Sequence, residues 1–292
     1  MQGMYMKNGF KLETFEFLLD KEEAELELEG LDLSDPSCWV KINPGLFGFY
    51  RVAYDAHLLR NLFGNLSSPY LTSVDRMGLF DDQVAMVLCQ ESGKTVRILE
   101  LAKRLSKYET SIAVWRSVAG VLHQIRTLTW FDEGLADHYD RFCLDVFKPL
   151  LTKIGYSAVH VLSPIAAPAP SDDSADASLC RGLLYYYCAV YGDQEVRDHA
   201  RVVFQNHVNG SALIPCQMRD AIYRAVMVDA SQATFEQLRG LYKATEAAEE
   251  RNRILMAFGY CESRDILAQV LYYQYVLITF SLQKILSNLF PT

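Results

Sequence analysis

Residues 39–55, WVKINPGLFGFYRVAYD, constrain the fold of this chain more than any other stretch. Two runs rich in β-branched and aromatic residues flank Asn43-Pro44-Gly45. Proline presets a turn dihedral and glycine accepts positive φ, so the centre reads as a turn. Beyond it the residues alternate. Tyr50, Val52 and Tyr54 fall on one side and Phe49, Arg51 and Ala53 on the other, as in a strand with one buried face. The expectation is a β-hairpin.

The residues before it also carry a period of two. Phe15, Phe17 and Leu19 alternate with polar neighbours, and Ala24, Leu26 and Leu28 alternate with Glu23, Glu25, Glu27 and Glu29. With the hairpin this makes roughly four strands, too few to close a sandwich. Residues 10–55 therefore read as the end of a β domain whose beginning lies elsewhere, and the domain division is placed at 1–58 and 59–292.

From about Ser73 the period becomes helical. Phe80, Val84, Val87 and Leu88 share one face, followed by Ile98, Leu101, Ala102 and Leu105, then by Ile112, Trp115, Ala119 and Leu122. Gly93 marks the corner between the first two. Val196, Ala200, Val203 and Phe204 form a stripe behind Asp193, a candidate N-cap. Phe235, Leu238, Leu241 and Tyr242 form another, with Thr234 and Gln237 spaced as a capping box, and Ile254, Leu255 and Phe258 form a third.

The segment 163–178, SPIAAPAPSDDSADAS, cannot hold a helix across Pro164, Pro168 and Pro170 and reads as an exposed loop. The run 266–286 is apolar but interrupted by Gln269, Gln274, Gln283 and Lys284, so it reads as a buried terminal helix and not as a membrane span.

The formal net charge of −8 lacks the basic footprint that phosphate contacts require, which excludes nucleic acid as a partner. The 7 cysteines are scattered and never in C-x-x-C spacing, which favours reduced thiols in a cytoplasmic setting. The first residues, MQGMYMKNGFKLETF, contain no apolar core of a secretory signal. Without one, the sequons Asn65-Leu66-Ser67 and Asn209-Gly210-Ser211 carry no weight.

The stretch 39–55 resembles W-[VI]-K-[IL]-N-x-G-x-x-G-[FY]-Y-R-V-x-Y-[DE] of zinc aminopeptidases of the puromycin-sensitive and aminopeptidase-N type. Val74 to Asp82, VDRMGLFDD, resembles that family's D-R-x-x-L-[IL]-[DN]-D segment. Tyr108-Glu109-Thr110 through Trp115 resembles its [YN]-E-x-x-x-x-x-W segment. Glu249 to Leu255, EERNRIL, resembles its late E-[EK]-x-R-[IL]-L helix. The segments follow the family's order from Phe10 to Leu271, and from about residue 272 the chain diverges.

The resemblance implies a mostly α fold. It is a HEAT-like α-solenoid of antiparallel helix pairs preceded by a partial β-sandwich. It also implies a role in removing N-terminal residues from peptides. In the family this helical region covers the peptide chamber, while zinc and the general base belong to a separate catalytic domain.

Peptidase chemistry of that kind needs H-E-x-x-H, with two His one helical turn apart binding zinc and the Glu activating water. Neither it nor the family's G-x-M-E-N strand occurs here. Of the 6 histidines, His199 and His207 are spaced to share a helical face but stand too far apart for one metal, and read as surface residues. Glu91-Ser92-Gly93-Lys94-Thr95 ends like a phosphate-binding loop, but the first glycine's position is Leu88 and a helix precedes it.

No G-x-S-x-G elbow occurs. Asp81-Asp82 reads as an exposed helix face and Asp172-Asp173 as a solvated loop. Tyr185-Tyr186-Tyr187 and Tyr272-Tyr273 read as core aromatics before a peptide-binding concavity.

No catalytic, cofactor-binding or metal-ligating residue is therefore assigned in this chain. The expected partners are peptides and a polypeptide carrying the catalytic domain. The alternative is a non-enzymatic solenoid that binds peptides or proteins.

Overall fold

The computed structural model describes residues 1–89, 94–129, 131–155 and 175–272. It is mostly helical, with one small sheet, as expected. The chain divides into two compact units, Met1–Leu150 and Leu151–Thr292. The first holds the sheet and the helices up to most of the fifth.

The sheet has three strands: β1 (Gln2–Lys7), β2 (Lys11–Glu16) and β3 (Trp39–Ile42), in the order β2-β1-β3. Both pairings are antiparallel, from Gln2 opposite Glu16 to Lys7 opposite Lys11, and from Gly3 opposite Ile42 to Met6 opposite Trp39. Asn8 and Gly9 turn the first hairpin, both at positive φ (54° and 71°). Such a turn matches the twist of its strands, and Asn-Gly is the pair that adopts it at least cost. Gly3 lies under the ring of Phe15, where a Cβ would come within 2.1 Å of Phe15 Cζ. The central strand buries Met4, Tyr5 and Met6 consecutively, so it shows no period of two.

Two expected strands are not formed. Residues 23–28 pair with nothing. The run EEAELELE joins neither outer edge of the sheet, and staying solvated keeps its like charges apart. The hairpin around Asn43-Pro44-Gly45 has only its first arm, β3.

Past Ile42 the backbone enters left-handed conformation at Asn43 (φ 56°) and makes a 3-10 turn over Pro44–Leu46. Asn43 then closes the loop through both ends of its amide. Its Nδ2 donates to Gly48 O (2.9 Å) and its Oδ1 accepts from Gly48 N (2.7 Å). The second arm alternates over residues 51–54, with Val52 and Tyr54 buried and Arg51 and Ala53 exposed, but Tyr50, expected on the buried side, is exposed. It does not pair, because a side chain occupies the place of a partner strand. Tyr54 Oη accepts from Ile42 N at 2.9 Å.

Five helices follow: α1 (Ala56–Gly64), α2 (Ser73–Leu88), α3 (Thr95–Leu105), α4 (Ile112–Thr129) and α5 (Glu133–Ile154). Asp55 caps α1 by accepting from His57 N and Leu58 N. Thr72 and Asp75 form a reciprocal capping box on α2. Asn61 of α1 donates to Leu33 O, Asp35 O and Cys38 O, fixing the loop that leads into β3. The stripe Ile98, Leu101, Ala102 and Leu105 is the buried face of α3.

On α4 the buried set is Val114, Trp115, Val118, Ala119, Leu122 and Thr129, with Ile112 half-buried. The face expected for α2 is corrected. Leu88 is exposed, and the buried residues are Asp75, Gly78, Leu79, Phe80, Asp82 and Gln83. Gly93 lies outside the described residues.

The second unit contains α6 (Ala175–Val190), α7 (Gln194–Val208), α8 (Cys216–Val228), α9 (Gln232–Ala244) and α10 (Ala248–Phe258), and residues 264–272 are helical. Each helix packs on the next, from α6 on α7 to α9 on α10. Alternate helices also pack, α6 on α8 and α8 on α10. Asp193 caps α7 as expected, accepting from Val196 N at 3.1 Å.

The cap of α9 is Ser231, which accepts from Thr234 N, so the expected box starting at Thr234 is displaced by one turn. Of the expected loop 163–178, residues 163–174 lie outside the described residues and 175–178 form the first turn of α6. Of the apolar tail, 273–286 lies outside them as well. Among the described residues, no helix is long and apolar enough to cross a membrane.

The Tyr54 hydroxyl gives a direct check on the unpaired second arm. Tyr54→Phe leaves the buried Ile42 N–H without its acceptor, which costs about 1–2 kcal/mol. Urea unfolding should show a lower midpoint at constant slope, and an unchanged midpoint would contradict the role given to this hydroxyl.

Candidate functional site

The residues singled out by the sequence converge in the first unit on buried charges. Lys41 of β3 is 1% exposed. Its Nζ donates to Ile42 O (2.6 Å) and Asn43 O (3.3 Å). Burial pushes its ammonium below the ordinary lysine range, and Asp75 and Asp82 partly restore it.

Asp75 makes three connections at once. Oδ2 accepts from Thr72 N and Thr72 Oγ1, while Oδ1 accepts from Gly45 N at 2.8 Å. The N-terminus of α2 is thereby bolted to the Pro44-Gly45 turn. Leu46 packs on Gly78 one turn further, where a Cβ would meet Leu46 Cδ2 at 2.4 Å.

The pair Asp81-Asp82 is not the exposed face its charge implied. Asp82 is 2% exposed and pairs with Arg51 at 3.4 Å. Burial raises its carboxyl above the usual range, against the pull of Arg51 and Lys41. Asp81 accepts from Ser117 Oγ of α4.

Next to Asp75 stands Arg76. Its Nε donates to Glu109 Oε2 (2.5 Å), its Nη1 to Leu71 O (2.5 Å) and its Nη2 to Ser73 Oγ (3.0 Å). The guanidinium lies 5.7 Å from the ring centre of Tyr108. Burial pushes the Tyr108 hydroxyl up to about 12. Glu109 is 1% exposed. Its Oε1 accepts from Thr110 N and Ser111 N, both at 2.8 Å, at the entrance to α4. Its carbonyl accepts from Trp115 Nε1 at 3.0 Å. Three separate stretches of sequence are thus joined through buried polar groups.

The second unit repeats the device with Glu250 of α10. Oε1 accepts from Tyr223 Oη of α8 (2.7 Å), and Oε2 pairs with Arg253 (2.9 Å) and Arg219 (3.3 Å). Burial pushes its carboxyl up, but Tyr223, Arg253 and Arg219 together outweigh burial and hold it below the ordinary range. Tyr223 also meets His207 Nε2 at 3.3 Å.

His199 and His207 are half-buried on α7 and held by tyrosines, so they are not the free surface groups expected. His199 Nδ1 meets Tyr185 Oη of α6 at 2.9 Å. Burial lowers both imidazoles below the ordinary histidine range. Burial, then the bond to Glu250, raises the Tyr223 hydroxyl above its ordinary range in the His207-Tyr223-Glu250 chain. That chain of bonds links three helices.

Tyr185 and Tyr186 are core residues of α6, as read from sequence. Arg224 of α8 lies 5.5 Å from the ring centre of Tyr186 and 5.0 Å from that of Tyr260. Tyr272 is exposed, and Tyr273 lies outside the described residues, as do Asp172-Asp173 and Glu91-Ser92-Gly93. All seven cysteines are free thiols, with Cys89 and Cys216 exposed and the others buried.

Among the described residues, no group of three or more His, Cys, Asp or Glu is placed to hold a metal ion. A cavity of ≈580 Å³ between α4 and α5 is lined by His123, Arg126, Thr127, Thr129 and Ala136. Arg126 is engaged there by Asp140 through two bonds, at 2.9 and 3.0 Å. Burial, then Arg126, lowers the His123 imidazole, so it is neutral at pH 7.

Sequence reasoning assigned no role to Lys41, Asp75, Glu109 or Glu250. A charge at a polar position reads as solvated unless something shows what packs over it.

The chain is therefore a mostly helical domain whose buried charges are spent on joining its elements. A sequence model of the ERAP1-like C-terminal domain matches residues 39–287, and the chain belongs to that family. The match continues past Leu271, where resemblance by motif is lost, to residue 287.

The relatives are aminopeptidases. Aminopeptidase M1 of Arabidopsis thaliana is 27% identical over 271 residues, covering 87% of this chain and 29% of that protein. Glutamyl aminopeptidase of Homo sapiens is 26% identical over 252 residues, covering 84% and 25%. Puromycin-sensitive aminopeptidase of Caenorhabditis elegans is 24% identical over 260 residues, covering 88% and 26%. The chain spans less than a third of the length of these relatives.

The lowered carboxyl of Glu250 fixes a sign. Its contribution is complete above the ordinary glutamate value of about 4.3 and is lost as pH falls through the lowered value. Glu250→Gln should cost about 1–3 kcal/mol at pH 7, since Tyr223 and Arg219 lose a charged partner and Arg253 keeps only Glu249. The gap between wild type and variant should close as the medium is acidified. Urea midpoints across pH 3–7 test this, and a gap independent of pH would contradict it.

Proposed function

We propose that this chain is the C-terminal region of a zinc metalloaminopeptidase of the puromycin-sensitive type, acting in the cytoplasm to remove N-terminal residues from peptides. Its helices form the lid of the peptide chamber and supply neither a zinc ligand nor the general base. The observation that carries this reading is the family match over residues 39–287.

In the second unit, the packing of successive helices from α6 to α10, with α6 on α8 and α8 on α10, supports a HEAT-like solenoid of helix pairs. A solenoid has a concave face suited to extended peptides. A lid of this kind acts by excluding water and completing the chamber when it closes. The net charge of −8 favours basic peptides, an attraction that salt weakens. Zinc, in this reading, is held by the region of the relatives that this chain does not span.

Purified chain should contain zinc well below stoichiometry and release no product from aminoacyl fluorogenic substrates. Mixed with a separately produced catalytic region, it should restrict turnover to peptides that fit the chamber. Stoichiometric zinc with turnover by the chain alone would overturn the assignment of roles.

A further inference from the structure

The segment 18–28 has the sequence pattern of a strand and no strand partner. Among the described residues, no backbone N–H or C=O of residues 18–27 bonds to another protein group. Its apolar residues are open to solvent, with Leu19 51% and Leu26 43% exposed. Beside it lies a groove of ≈780 Å³, lined by Met1, Phe17 and Leu19 and by residues 22–26. Glu22, Glu23 and Glu25 stand along that groove, and Glu27 and Glu29 continue the row.

We propose that this groove binds an extended basic peptide segment, which pairs with residues 22–28 as a strand. Main-chain bonds to the idle backbone groups supply affinity, as in other strand-addition sites. Apolar side chains of the peptide enter beside Phe17, Leu19 and Leu26. Lysine or arginine at the alternate positions meets the glutamate row. An acidic or neutral strand is rejected, because like charges directly opposed across a strand pair destabilise it.

A seven-residue strand at about 3.3 Å per residue reaches along residues 22–28. The inference does not depend on the aminopeptidase reading, because neither a chamber nor a catalytic partner enters it.

The test uses the full chain and a fluorescein-labelled heptapeptide alternating lysine and valine, acetylated and amidated at its ends. Anisotropy should show saturable binding with Kd on the order of 10–100 µM at low salt. N-methylation of alternate residues, which removes the peptide's main-chain donors, should abolish it. Glu23→Lys with Glu25→Lys should weaken binding about tenfold or more. The same charge change elsewhere, Glu246→Lys with Glu249→Lys on exposed positions near α10, should leave it within about twofold.

Ala24→Pro, which deletes one idle N–H in an exposed segment, should weaken binding with the urea midpoint unchanged. Absence of saturation, equal binding of the N-methylated peptide, or equal loss in the two charge-reversed pairs would each overturn the proposal.

Discussion

The first unit depends on the ion pair between Arg76 and Glu109. Both partners lie out of water, with side chains 14% and 1% exposed. Taking two charges out of water is expensive, and their mutual attraction repays it only when the remaining donors and acceptors are satisfied. Here they are. Arg76 spends further donors on Leu71 O and Ser73 Oγ, and Glu109 accepts from Thr110 N and Ser111 N. Asp75, one residue earlier, reaches back to Gly45 N. A turn, a helix start and the entrance to α4 are therefore set by adjacent residues of one helix. Loss of either charge strands the other in the core.

The same logic extends to other buried polar and charged residues among those described. Lys41, Asp82, Glu109, Glu250 and Tyr223 are buried, each with at least one polar partner. Burial raises the Tyr223 hydroxyl and lowers the His207 imidazole, and the bonds through Tyr223 tie α7, α8 and α10 together. Satisfied networks of this kind specify geometry and stiffness.

Much of this was legible in the residues, and the failures have physical causes. The amphipathic stripes of α3 and α4 were clear because apolar side chains recur at helical spacing over several turns. Asp193 announced the start of α7. The stripe of α2 was misplaced because its buried face carries Asp75, Asp82 and Gln83, and a buried carboxylate looks like a solvated one in sequence.

β1 was missed because a central strand covered on both faces has no alternation, although Asn8-Gly9 marked its turn. The second arm of the expected hairpin alternated correctly but met the hydroxyl of Tyr54, not a ladder, at Ile42 N. The glutamate-rich alternation at 23–29 has the period of a strand, yet it joins neither outer edge of the sheet. The segments quoted for the resemblance contain Lys41, Asp75, Arg76, Glu109 and Glu250, but their burial and their partnership across long separations were not visible.

The central claim is that the stretches around Gly45, Arg76 and Glu109 act as one buried electrostatic joint. A double-mutant cycle on Arg76→Met and Glu109→Gln, read by urea unfolding, tests it most directly. Each single substitution should cost about 3–5 kcal/mol, and the double substitution should cost far less than their sum, a coupling of about 2 kcal/mol or more. Additivity to within about 0.5 kcal/mol would contradict the claim, because it would mean that neither charge depends on the other.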